Sequence, residues 1–129
     1  MREDKRIIFP SDRDIIEERT KDELRDRIHS KCSDKSDGEK SIIIDFDSTY
    51  LVKCRMRNGM LFGLVRCYDA EGNKIAIIQY INDVRHGLYT KYDITGWVCC
   101  SGMYKDGNCY GTWRHYDEDG NVIRSTSYE

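Results

Sequence analysis

A glycine returns three times at a spacing of 24 residues, as Gly63, Gly87 and Gly111, and its surroundings return in phase with it. Val65, Tyr89 and Trp113 follow it, then Tyr68, Tyr92 and Tyr116, then Asp69, Asp93 and Asp117, then Gly72, Gly96 and Gly120, and finally Tyr80, Tyr104 and Tyr128. No insertion breaks the register across residues 57–129. A period of this size marks stacked units that bury apolar surface against their neighbours, so an extended array is expected in place of one compact core.

Two turns are written into each unit. Asn58-Gly59, Asn82-Asp83 and Asp106-Gly107 tolerate the positive φ angles of a tight hairpin. The other turn runs from Asp69, Asp93 or Asp117 to the glycine three residues on, where the carboxylate can bond the following amides. Strands of about six residues lie between, for example 63–68 and 75–80. The fold class expected is therefore mainly β, an elongated antiparallel meander of stacked hairpins with an α-helix near the N-terminus. Alternation along a strand puts the residues two and five after each glycine on opposite faces. Either rings line both faces, or a bulge brings both columns to one, and the sequence leaves the two open. The bare Gly87 and Gly111 are expected to leave room for a neighbouring ring.

Residues 1–40 are of another kind, with 23 charged side chains, 11 basic and 12 acidic. Ser11 is a plausible N-cap, and Ile16, Thr20, Leu24 and Ile28, with Ile15, predict a narrow apolar stripe on a charged helix over 12–29. That stripe is expected to pack on one end of the sheet and blunt its edge, or else to dock a partner. Residues 30–41 lack apolar periodicity and are expected to be a flexible linker. A degenerate first unit over 42–57, with strands at 42–46 and 50–56, then precedes repeats at 58–81, 82–105 and 106–129.

The run Tyr104-Lys105-Asp106-Gly107 to Gly111-Thr112-Trp113, then Tyr116 and Asp117 to Gly120, resembles the MORN repeat variant, whose pattern is Tyr-x-Asn/Asp-Gly, Gly-x-Trp, Tyr, Asp-x-x-Gly. The repeat from Tyr80 keeps most of it, with Asp83 in place of the turn glycine and Tyr89 in place of the tryptophan; the repeat from Arg57 has Val65 there. The resemblance covers 56–128. It implies an elongated sheet of hairpins acting as a scaffold or interaction module, and some such repeats are proposed to bind phospholipid.

Little in the sequence points to chemistry. The chain carries a formal charge of -2 and, over residues 41–129, 10 basic against 11 acidic residues, which argues against nucleic acid and disfavours a lipid surface. Basic residues Arg55, Arg57, Lys91, Lys105 and Arg114 among tyrosines are read as a solvated face. With no apolar N-terminal stretch, a cytoplasmic location is expected, the six cysteines then being reduced thiols. Cys109 and His115 are near in sequence, but no group to orient the imidazole can be named, and no cofactor, metal or enzymatic activity is expected. A noncatalytic protein-binding adaptor is expected, with Tyr89, Tyr92, Trp97, Trp113, Tyr116, Arg66 and Arg114 as contact residues. The alternatives are a structural component of a cytoskeletal or viral assembly, self-associating through the sheet edge, and a peripheral phospholipid-binding module.

Overall fold

A computed structural model describes residues 22–32, 36–45 and 48–129. One helix, α1 (Glu23–Lys31), precedes nine strands: β1 (Gly38–Asp45), β2 (Thr49–Arg57), β3 (Met60–Leu61), β4 (Gly63–Asp69), β5 (Lys74–Ile81), β6 (Val84–Tyr92), β7 (Val98–Lys105), β8 (Asn108–Tyr116) and β9 (Val122–Tyr128). All pair antiparallel in one open sheet, in the order β1-β2-β4-β5-β6-β7-β8-β9, with β3 on β2. This is the mainly β meander that the repeat predicts.

Both turn types form as their residues dictate. Asn58 and Gly59 sit at φ 55° and 76°, Asn82 and Asp83 at 49° and 70°, and Asp106 and Gly107 at 52° and 87°. Positive φ at both central residues gives the turn whose twist matches paired strands. In the other turn Asp117 Oδ1 accepts from the amides of Asp119 and Asn121 at 3.0 and 2.9 Å, and Asp69 does the same for Glu71 and Asn73. These amide bonds hold the exposed Asp117 carboxyl below its usual range.

Successive units are stitched at the hairpin turns. The Asp83 amide donates to Leu61 O at 3.0 Å, and one period later the Gly107 amide donates to Arg85 O at 2.9 Å. The repeated glycines Gly63, Gly87 and Gly111, at φ 91°, 103° and 71°, lie where a strand swells or breaks. Opposite Gln79, β6 uses three residues from His86 to Leu88, and opposite Gly102, β8 uses three from Gly111 to Trp113.

Bulges also occur in each Asp-turned hairpin, but on the return strand, where Ile75, Cys99 and Ile123 are the extra residues. They therefore leave the parity of β4, β6 and β8 intact, and the two ring columns part. Val65, Tyr89 and Trp113 face the core, while Tyr68, Tyr92 and Tyr116 face the other way.

The core lies on one face, here called inner. Val52, Val65, Ile78, Tyr80, Tyr89 and Trp113 are fully buried there, and Leu24 and Ile28 of α1 join the same cluster. Tyr89, Tyr104 and Trp113 interlock, with centroids 5.1 to 5.9 Å apart and Tyr104 edge-on to both partners. Trp113 Nε1 donates to Met103 O at 3.0 Å. Space for this indole comes from Gly102, not from Gly87 or Gly111: a Cβ on Gly102 would stand 2.1 Å from Trp113 Cδ2, whereas one on Gly111 would meet nothing and one on Gly87 would meet only the end of Gln79.

The N-terminal expectations need adjustment. Ser11, Ile15, Ile16 and Thr20 lie outside the described residues, and the N-cap of α1 is Asp22, whose Oδ1 accepts from Arg25 N at 3.0 Å. Residues 38–41, expected in the linker, pair with β2 as the start of β1. The helix packs at the β1 end of the sheet, Arg27 Nη1 donating to Asp45 O at 3.4 Å, and its apolar residues Leu24 and Ile28 are buried in the core of the inner face.

Gly102→Ala is expected to cost about 1–3 kcal/mol, because the indole it would strike is locked in the core. Urea unfolding would show a lower midpoint with an unchanged slope; an unchanged midpoint would mean that Trp113 does not lie on Gly102.

Candidate functional site

Strand parity sorts the expected contact residues. Tyr89 and Trp113 are each 1% exposed and belong to the core, which corrects their expected role as contact residues. Tyr92 and Tyr116 are half-buried on the outer face, where Arg66 and Arg114 are exposed. Trp97 stands apart in the β6–β7 turn, half-buried, its carbonyl accepting from Asp93 N at 2.7 Å. Asn73 and Asn121, which occupy that place in the other units, also bond the turn carboxylate through their side chains.

The outer face has a composition that net charge conceals. Register aligns Lys53, Arg66, Ile77, Thr90, Ser101 and Arg114 across β2 and β4 to β8. Beside that row Lys53 Nζ lies 5.6 Å from the Tyr68 ring centre and Lys74 Nζ 5.6 Å from that of Tyr92, while Tyr116 and Ser101 share a 2.9 Å hydrogen bond. Arg57 stacks on Phe62 at 3.6 Å, and Lys105 lies 5.0 Å from the Tyr110 ring. Leu88, Met103 and Tyr110 are exposed among these groups. The acids of the repeats, Asp69, Glu71, Asp93, Asp117, Glu118 and Asp119, are at the turns instead. Among the described strand residues, the outward acids are Glu39 and Asp45, both on β1, and Glu39 is bonded to Arg55 at 2.9 Å.

On the inner face a buried polar cluster ties α1 to the repeats. Arg85 Nε and Nη2 donate to Asp22 Oδ2 and Oδ1 at 3.0 and 3.2 Å, and Tyr80 donates to Asp22 Oδ2 at 2.6 Å. Arg85 Nη1 extends to Tyr104 OH at 3.1 Å. Burial pushes the Tyr80 hydroxyl well above its usual value and that of Tyr104 up to about 12, with Arg85 opposing in both, so each phenol keeps its proton. A second tie is made at Asp83: its Oδ1 lies 2.7 Å from His29 Nε2 and accepts from Leu61 N at 2.8 Å, and its carbonyl accepts from Arg25 Nη1. Sequence reasoning missed the first tie because Asp22 and Arg85 are 63 residues apart and Asp22 reads as one more acid of a charged helix. The second had a visible signal, the aspartate standing where other units carry a turn glycine.

His115 also finds an unexpected partner. Cys109 lies opposite Tyr104, and it is Cys100 that stands across from His115, its Sγ 3.9 Å from Nε2. None of the six cysteines is joined in a disulfide. Among the described residues, no group of three or more His, Cys, Asp or Glu is placed to hold a metal ion, and no helix is long and apolar enough to cross a membrane.

An open meander stitched at a fixed period, with a helix packed at one end of its inner face and the outer face left to solvent, defines a repeat-built β-sheet protein. The family described as the MORN repeat variant matches residues 110–129, the last of the units seen here. The match shows that the chain carries a unit similar to this repeat. Such repeats are generally linked to interaction with proteins or membranes. No curated protein matches the sequence. Among solved structures, the crystal structure of TarM is similar over 76% of this chain and 21% of that one, at 13% identity and a TM-score of 0.38.

Arg85→Met would leave Asp22 charged, buried and short of its main partner, and is expected to cost about 3–5 kcal/mol. Tyr80→Phe removes one hydrogen bond from the same carboxylate and is expected to cost about 1–2 kcal/mol. Urea unfolding measures both; equal losses would show that the cluster does not depend on the guanidinium.

Proposed function

We propose that the chain is a noncatalytic adaptor whose outer face docks another protein, through a segment that presents acidic and apolar side chains together. The observation that carries this is the gathering of Arg66, Arg114, Tyr92 and Tyr116 on one face, with Lys53 and Lys74 over the tyrosine rings and exposed Leu88, Met103 and Tyr110 beside them. Tyrosine, arginine and methionine are the residues that interface cores favour, and a sheet already ordered by its own ladder pays little conformational entropy on binding. The guanidinium groups supply orientation and encounter rate by attracting carboxylates.

The double variant Arg66→Glu/Arg114→Glu reverses charge at two exposed positions without touching the core. Affinity purification from the native cell with mass spectrometry is expected to recover a protein that the natural chain retains and the double variant loses, with affinity reduced about tenfold or more, roughly 1.4 kcal/mol. Equal recovery by both forms, at matched urea midpoints, would remove the outer face from the reading. An anionic membrane would meet the same cations. Sedimentation with phosphatidylserine vesicles that salt and the double variant both abolish, with no protein recovered, would replace the adaptor reading by a lipid one.

A further inference from the structure

Tyr68, Tyr92 and Tyr116 stand on β4, β6 and β8, each two residues beyond the register row that runs from Arg66 to Arg114. Two strand spacings separate each from the next, which sets them about 9.6 Å apart along a line crossing the strands. All three are engaged from the strand before: Tyr68 by Lys53 of β2, Tyr92 by Lys74 of β5 and Tyr116 by Ser101 of β7. The half-buried rings thus form low, evenly set ridges, with Lys74 and Val98 in register between them.

A second line runs beside the first. Arg66 and Arg114 each precede a tyrosine of the row by two residues, about 7 Å along the strand, and among the described residues neither is ion-paired. Four strand spacings, about 19 Å, lie between them. A polyproline II helix has three residues per turn and advances about 3.1 Å per residue, so one edge returns every turn, at about 9.3 Å. That interval nearly equals the spacing of the tyrosines. An α-helix brings a face back at about 5.4 Å or, by heptads, about 10.5 Å, and a strand does so at about 6.7 Å, all farther out of step. With no internal hydrogen bonds, a polyproline II segment can also follow the twist of the sheet, and it leaves carbonyls free for the hydroxyls of Tyr68 and Tyr92.

The geometry points to a partner of defined form: the outer face takes a proline-rich, acidic segment in the polyproline II conformation, laid across the strands. A proline meets each of Tyr68, Tyr92 and Tyr116, and two carboxylates six residues apart, about 18.6 Å, meet Arg66 and Arg114. This rests on the reading of that face as a docking surface and names what docks there. Proline suits shallow aromatic ridges because its rigid ring packs flat on them and has little freedom left to lose.

Fluorescence anisotropy with labelled peptides and the full chain tests it. A peptide of three Pro-Glu-Glu units, about 28 Å long when extended as polyproline II, is expected to bind saturably. Peptides of three Leu-Glu-Glu or Ala-Glu-Glu units, equal in charge, are expected to bind about tenfold more weakly or worse. Tyr92→Leu keeps apolar bulk but removes the flat ring, and is expected to weaken the proline peptide about tenfold at a matched urea midpoint. Should that variant unfold, the peptide series on the natural chain decides alone. Equal binding of the leucine and proline peptides overturns the proline-rich partner and leaves the adaptor reading standing. No saturable binding of the proline peptide below about 1 mM also overturns it, while the affinity purification judges the adaptor reading separately. A dimer in sedimentation that Arg66→Glu/Arg114→Glu dissolves gives the face to a second copy of the chain, and overturns it too.

Discussion

Because successive side chains on a strand point to opposite faces, the register of each hairpin decides which groups meet in the core and which meet solvent. Two backbone devices set that register here, the positive-φ pairs at the tight turns and the glycine-bearing bulges at Gly87 and Gly111. Both depend on residues that accept left-handed dihedrals cheaply, which is why glycine, asparagine and aspartate hold their columns while the residues around them vary. A slip of one position would carry Trp113 to the outer face and bring Arg114 into the aromatic core, so the ladder has little freedom once the turns close.

The bulges also explain where sequence reasoning stopped. Turns and strands could be read because they rest on local chemistry: Asp106-Gly107 demands a hairpin whatever lies beyond it. Counting outward from that turn without interruption, however, would set Cys100 opposite Trp113. The extra residues around Gly111 shift the pairing by two, and His115 arrives there instead. Parity between the ring columns could not be settled from the sequence because the bulges at Ile75, Cys99 and Ile123 lie on the return strands, where no repeated residue type announces them. Gly102 belongs to no repeated column, so its accommodation of Trp113 left no periodic trace.

Attachment of α1 shows how an irregular element is held on a regular one. Leu24 and Ile28 supply apolar burial that any helix of similar pattern could provide. The position of the helix is specified by polar groups, Asp22 on Arg85 and Tyr80 and His29 on Asp83, each of which would be costly to bury unpaired. Asp83 does this by departing from the repeat: a glycine in its place makes the same turn, as Gly107 does, but has no carboxylate for the helix or for Leu61 N. The unit that breaks the consensus is therefore the unit that receives the non-repeating segment.

The same ladder sorts charge. Over residues 41–129 acids and bases are nearly equal in number, and a count alone predicts a face with no preference for a charged partner. Aspartate is drawn to the turns because its carboxylate can bond two amides there, as Asp69 and Asp117 do, and that confines the acids to the ends of the hairpins. Lysine and arginine have no such use in a turn and long stems that lie well on ring faces, so they remain on the strands, as at Lys53, Lys74 and Lys105. Repetition of the unit then multiplies this separation into a broad basic and aromatic face rimmed by carboxylates. A surface of that kind discriminates among partners by the placement of charge, a property set by turn chemistry and invisible to composition.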